Sequence, residues 1–133
     1  MIMKKEIRLQ VYSKFGGKCA YTGKLLGEDW QIDHMVSKNF AKYYKGTSLE
    51  INVNDIDNLL PALRIVNHYK RALDLEGFRV YMLNFHKRLA KLPRNTMVRR
   101  TIRRKEYMYK VAEAFGITPD KPFCGKFYFE TLK

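Results

Sequence analysis

The chain has 133 residues, 26 Lys plus Arg against 13 Asp plus Glu, a net charge of +13, two cysteines and 46% hydrophobic residues, which predicts one domain large enough to bury a core. Aromatic residues at 14% exclude a disordered chain, while the distant pair Cys19 and Cys124 excludes a disulfide scaffold and points to a reducing, cytoplasmic setting. Residues 1–8 contain no apolar signal core, and no apolar run approaches the roughly 20 residues of a membrane span, so the charge is expected to serve a polyanion, with nucleic acid ahead of a membrane surface.

In chain order, residues 4–15 read as a helix, with Ile7, Val11 and Phe15 at i, i+4 and i+8 before the stop Gly16-Gly17. Residues 18–33 are short and turn-punctuated, with extended segments around 19–21 and 30–33 that predict a hairpin. Residues 37–55 mix Lys, Tyr, Asn and Gly without a period and read as a loop with one helical turn. Pro61 is expected to open a helix whose apolar stripe is Ala62, Val66, Tyr69 and Leu73, with Arg64, Asn67, Lys70 and Arg71 turned elsewhere. Asp74 is the expected N-cap of the next helix, which carries Phe78, Met82, Phe85, Leu89 and Leu92 and ends at Pro93. A helix over 97–104 places Arg99, Arg100, Arg103 and Arg104 on one face, opposite Val98 and Ile102. The next apolar stripe, Met108, Val111, Ala112 and Phe115, is out of line with Val98 and Ile102, which predicts either a break near Lys105 or two packing partners. Alternation of Phe127 and Phe129 with Tyr128 and Glu130 predicts a strand over 126–132.

The charge is localised. Between His86 and Lys110 stand ten basic residues and one acidic residue, Glu106, so this stretch holds +9 of the +13. The arginine face could track a phosphate backbone, and its alternative is a solvated helix face.

The segment that carries chemistry is Gln31-Ile32-Asp33-His34-Met35-Val36, followed by Asp57-Asn58-Leu59-Leu60-Pro61 and Asn67-His68-Tyr69-Lys70. An acid beside a histidine at a strand end, an Asn-Leu turn and an Asn-x-x-Lys on the next helix together resemble the HNH endonuclease family. Lys18-Cys19-Ala20-Tyr21-Thr22-Gly23 resembles the family's first knuckle. Leu73-Asp74-Leu75-Glu76-Gly77-Phe78-Arg79 and the tail through Phe127-Tyr128-Phe129-Glu130 resemble its small phage and prophage members.

The resemblance implies an α+β fold: a small ββα-metal (HNH, His-Me finger) core over about 18–72, flanking helices and a C-terminal strand, with residues 74–133 as a helical, basic extension of the single domain 1–133. It implies a metal-dependent endonuclease that hydrolyses DNA, double-stranded foremost, and leaves 5′-phosphate and 3′-hydroxyl ends. Such hydrolysis needs an activated water, a charge sink at the phosphoryl oxygens and relief for the departing alkoxide. His34 would be the general base, because an imidazole can take a proton from water near neutral pH. Asp33 and Asn67 would hold one Mg²⁺ or Mn²⁺ through hard oxygens. Asn58 would hydrogen-bond across the loop holding the His34 backbone. Lys70 and Arg64 would reach phosphates, and Arg71 joins Arg99, Arg100, Arg103 and Arg104 as DNA contacts. His68 is expected to pack or touch phosphate, and His86 to be structural or part of the basic face. The alternative reading is a basic nucleic-acid-binding protein that kept the fold and lost cleavage.

The chain departs from the family pattern in two places. Many members bind a structural zinc through two Cys-x-x-Cys pairs, whereas here Thr22, Leu63 and Val66 stand at three of those four positions, beside Cys19. One thiolate cannot make a tetrahedral zinc site, so no structural zinc is expected and an apolar cluster would replace it. The loop between Met35 and Asn58 lacks the family's Pro and Gly-Gly and is longer, with Lys38, Lys42, Tyr43, Tyr44 and Lys45 as either substrate contacts or a stabilising insertion. No base-reading module accompanies the core, so cleavage specificity would come from a protein partner or be absent.

Overall fold

The computed structural model describes residues 5–132 and combines helices with one small antiparallel sheet, an α+β chain. The elements in order are α1 (Lys5–Ser13), β1 (Gln31–His34), α2 (Lys38–Tyr43), β2 (Leu59–Ala62), α3 (Arg64–Lys70), α4 (Leu75–Leu83), α5 (Phe85–Ala90) and α6 (Arg99–Phe115), with 3₁₀ turns at Ile56–Asn58 and Tyr128–Thr131. Lys4, the expected first residue of the opening helix, lies outside the described residues.

The sheet differs from the expected hairpin. β1 pairs with β2, Asp33 opposite Leu60 and His34 opposite Leu59, while residues 18–25 fold into a knuckle in which Cys19 N–H donates to the Lys24 carbonyl at 2.8 Å. Gly23 turns that knuckle at φ 75°, where a Cβ would stand 2.7 Å from the Tyr128 ring. Pro61 belongs to β2 and does not open a helix. The run Leu59–Ala62 is buried at every position, and so short an apolar run satisfies strand and helix patterns alike. Lacking an N–H, Pro61 still offers its carbonyl, which accepts from Ala20 N–H at 2.8 Å and ties the knuckle to the sheet. The helix therefore starts at Arg64 and buries Val66, Tyr69 and Lys70, while Leu73 lies beyond its end with 37% exposure.

The main core joins Cys19, Tyr21 and Val66 to Phe78, Met82, Phe85, Met108, Val111 and Phe127, with Leu63 packed against it. Cys19, Leu63 and Val66 thus share one apolar cluster. Asp74 caps α4 by accepting from Gly77 N–H at 2.7 Å. One helix was expected over 74–92, but the chain breaks at Asn84 (φ −101°, ψ 1°), whose side chain donates to the Val80 carbonyl at 3.1 Å and offers the backbone a local alternative.

No break occurs near Lys105. α6 runs unbroken to Gly116, which ends it in the left-handed conformation at φ 70°. Its second half buries Met108, Val111 and Ala112, while Val98 and Ile102 in and before its first half stay 60% and 38% exposed. A helix whose first half needs no packing partner has no reason to bend. The expected terminal strand is also replaced. Residues 128–131 form a 3₁₀ turn, because Glu130 Oε1 reaches back to accept from Phe127 N–H at 2.9 Å and the same carboxylate binds Arg79. Phe129 N–H donates to the Ala20 carbonyl at 2.8 Å, so this segment still closes over the knuckle. Among the described residues no helix is long and apolar enough to cross a membrane.

Candidate active site

Strand alternation turns Gln31 and Asp33 to one side of β1 and Ile32 and His34 to the other. Asp33 is buried. Its Oδ1 accepts from Lys70 Nζ at 3.2 Å, and its Oδ2 accepts from the Tyr21 hydroxyl. Burial pushes the Asp33 carboxyl up, opposed by the Lys70 ammonium and the Tyr21 bond. Burial also raises the Tyr21 phenol well above its ordinary value, and the Asp33 charge adds to this.

Lys70 is not where a phosphate contact would be. It is 0% exposed, and besides Asp33 its ammonium donates to the carbonyls of His34 at 3.3 Å and Leu73 at 2.5 Å. Its three N–H donors are thereby used. The reason is positional: Lys70 falls on the inner face of α3 beneath β1, where a buried carboxylate requires a compensating charge.

His34 is half-buried, and its Nε2 faces Asn54 Oδ1 at 3.2 Å. An amide oxygen only accepts, so with Asn54 in this orientation Nε2 carries a proton, and Nδ1 has no hydrogen-bond partner among the described residues. Asn58 spans the loop that follows: its Oδ1 accepts from Val36 N–H at 2.8 Å, and its Nδ2 donates to the carbonyls of Val36 and Val53 at 3.1 and 2.9 Å. The Asn58 carbonyl also accepts from Met35 N–H at 2.9 Å and its N–H donates to the Asp55 carbonyl at 2.8 Å, so five hydrogen bonds link this residue to the chain around His34 and Asn54.

Asn67 Nδ2 donates to Gln31 Oε1 at 2.7 Å, which turns its Oδ1 away from that bond. Asp33, His34 and Asn67 meet along a cleft of about 250 Å³, bordered also by Ser37, Lys38 and Arg71. Arg64 is exposed at the start of α3 and does not border this cleft. Arg99, Arg100, Arg103 and Arg104 are exposed on α6, likewise outside it.

Arg71 sits at a strained position. Its φ of 56° and ψ of −134° place it first in the central pair of a type II′ turn, closed by Leu73 N–H donating to the Lys70 carbonyl at 3.3 Å. Glycine is the usual residue there, and a side chain held in such a conformation costs about 1–3 kcal/mol.

Asp33 and Asn67 offer a carboxylate and an amide oxygen, which fit a hard divalent cation in kind. Among the described residues no group of three or more His, Cys, Asp and Glu gathers around a common point, so amide oxygens and water would complete such a shell. The Asp33 charge is already balanced by Lys70, so a cation would share that carboxylate with the ammonium.

Three site residues went unseen in the sequence. Gln31 had a signal, standing two residues before Asp33 on the same strand face, and Tyr21 lay inside the knuckle. Asn54 had none, because only closure of the loop brings it to His34, 20 positions earlier. Comparisons with protein-family models, with curated proteins and with solved structures find no match.

Proposed function

We propose that the chain is a metal-dependent endonuclease of the HNH type that hydrolyses DNA phosphodiester bonds, with β1, β2 and α3 as its ββα core. The observation that supports this most is the meeting of Asp33, His34 and Asn67 along one cleft, from a strand end and the helix after the paired strand. His34 Nδ1 takes the proton of the attacking water while Asn54 holds the opposite ring nitrogen. Asn58 keeps the loop in register beneath that ring. Arg71 faces the phosphoryl oxygens at the cleft rim and stabilises their developing charge. Asp33 and Asn67 would hold one Mg²⁺ or Mn²⁺, which would supply Lewis acidity to the phosphoryl group and the departing 3′ oxygen.

One observation favours the second reading, a basic DNA-binding protein without cleavage: the Asp33 carboxylate is already committed to Lys70 and Tyr21. A plasmid-nicking assay with Mg²⁺ or Mn²⁺ separates the two. Wild type should nick, and His34→Ala and Asn67→Ala should lose about 10²–10⁴-fold of that activity. Absence of metal-dependent nicking, or undiminished nicking by His34→Ala, would overturn the proposal.

A further inference from the structure

Behind Arg71 lies a second cavity, of about 330 Å³, that the proposed cleavage chemistry does not use. Its walls come from separate elements: His68 on α3 and Arg71 after it, Tyr81 on α4, Arg88 on α5, and Arg104 and Tyr107 on α6. Among the described residues no carboxylate lines it and none of its three arginines forms an ion pair. Three guanidiniums held around one hollow repel one another, so the hollow favours an anion.

The guanidiniums are positioned in different ways. Arg88 lies 3.9 Å above the Tyr81 ring and donates to the Tyr81 carbonyl at 2.8 Å and the Tyr69 hydroxyl at 3.1 Å, yet its Nε is buried with no partner. Arg71 is held by the type II′ turn and borders both this cavity and the cleft containing His34. Arg104 belongs to the arginine face of α6 and also borders a further hollow with Arg88, Lys91 and Arg100. At the rim the His68 ring meets the Tyr107 hydroxyl at 2.7 Å, a pair that can turn a donor toward a bound oxygen.

We infer that this cavity seats a phosphate of the DNA strand adjacent to the one being cut, with Arg71 as the wall shared by the two positions. Planar guanidiniums match phosphate oxygens two at a time, and convergence from four elements makes the seat a product of the fold, unlike a charged helix face. The identity of the strand rests on the nuclease reading, whereas the anion chemistry rests on the cavity alone.

The test measures duplex DNA binding by the full chain in EDTA over a range of salt. It compares wild type with Arg104→Gln, Arg71→Gly and Arg99→Gln, the last being on the same helix but outside the cavity. Arg104→Gln and Arg71→Gly should each flatten the dependence of log affinity on log salt by about one unit, and Arg99→Gln should flatten it less. Arg71→Gly should melt no lower than wild type, since glycine relieves the turn, so its loss of binding cannot be assigned to unfolding. Equal slopes for Arg99→Gln and Arg104→Gln would overturn the inference. A second arm measures melting in millimolar inorganic phosphate against sodium chloride of equal ionic strength. A rise that Arg104→Gln abolishes supports the seat when it accompanies the slope changes; the same rise without them means that the cavity serves free phosphate, and it overturns the strand assignment. If wild type does not nick plasmid but the two cavity variants lose slope, the nuclease reading fails and the seat stands. If nicking is intact and the slopes do not move, the seat alone fails.

Discussion

The polar groups beneath β1 and the basic groups around α6 obey opposite rules. Under the strand every charge has found its counterpart: Asp33 is bonded by Lys70 and Tyr21, Lys70 spends its remaining N–H groups on two carbonyls, and Asn58 bridges its loop. Around α6, Arg99, Arg100, Arg103 and Arg104 are exposed and, among the described residues, carry no ion pair. Arg79 shows that the difference is one of place rather than residue type. It binds Glu130 through two bonds of 2.6 Å and also pairs with Glu76, tying α4 to the C-terminal turn. A polar group buried without a partner destabilises the fold, whereas an unpaired surface charge stays solvated at little cost. The interior centre therefore sets geometry, and the basic surface keeps its charge exposed to solvent.

The largest expected effect breaks the interior side of this contrast. Lys70→Met leaves Asp33 buried without its counter-charge and should cost about 3–5 kcal/mol in urea unfolding, with the double variant Asp33→Asn/Lys70→Met recovering much of it. On the same measurement Arg103→Gln should stay within about 0.5 kcal/mol of wild type. A Lys70→Met loss below about 1 kcal/mol would erase the distinction. Next, Asn58→Ala unpairs the Val36 amide and the Val36 and Val53 carbonyls and should cost about 1–3 kcal/mol. Because the same bonds hold the loop after His34, nicking should fall further than the loss of folded protein explains. A matching fall would make Asn58 purely structural.

The smallest effect uses pH. The Arg79 bond, opposed by slight burial, holds the Glu130 carboxyl below the ordinary value of 4.5. A depressed folded value means that this pair stabilises the fold above that ordinary value and that the contribution is lost as pH falls through the lower folded one. Glu130→Gln should abolish that component of acid destabilisation while leaving stability between pH 6 and 8 lower than that of wild type. An unchanged acid profile would show that the pair contributes nothing measurable.

Much of the local structure was legible in the chain itself. Asp74 announces its helix by cap chemistry, and spacing announces the buried residues, Phe78 and Met82 on α4 and Phe85 and Leu89 on α5. What failed were patterns with two physical solutions. Leu59–Ala62 could be strand or helix, and its pairing with β1 decides it, with the Ala20 bond to Pro61 on the other edge. The alternation at 127–130 reads as a strand until Glu130 finds Arg79, 51 positions away.

The candidate site divides the same way. Asp33, His34, Asn58 and Asn67 stand out in the sequence through the resemblance of their order to a known motif, because the strand end, turn and helix that carry them are each local. The partners that define their state come from distant segments: Tyr21 from the knuckle, Asn54 from the long loop, and Gln31 across from α3. Lys70 shows the limit most plainly. Its place one turn after Asn67 suggests reach toward solvent, but burial of Asp33 above α3 draws the ammonium inward. By itself the sequence determined charge, caps, periodicity and which chemical groups are present. Tertiary structure alone decided which charges are neutralised and which are left open, because the cost of an unpaired charge depends on exclusion of water, and that exists only once the chain has closed around it.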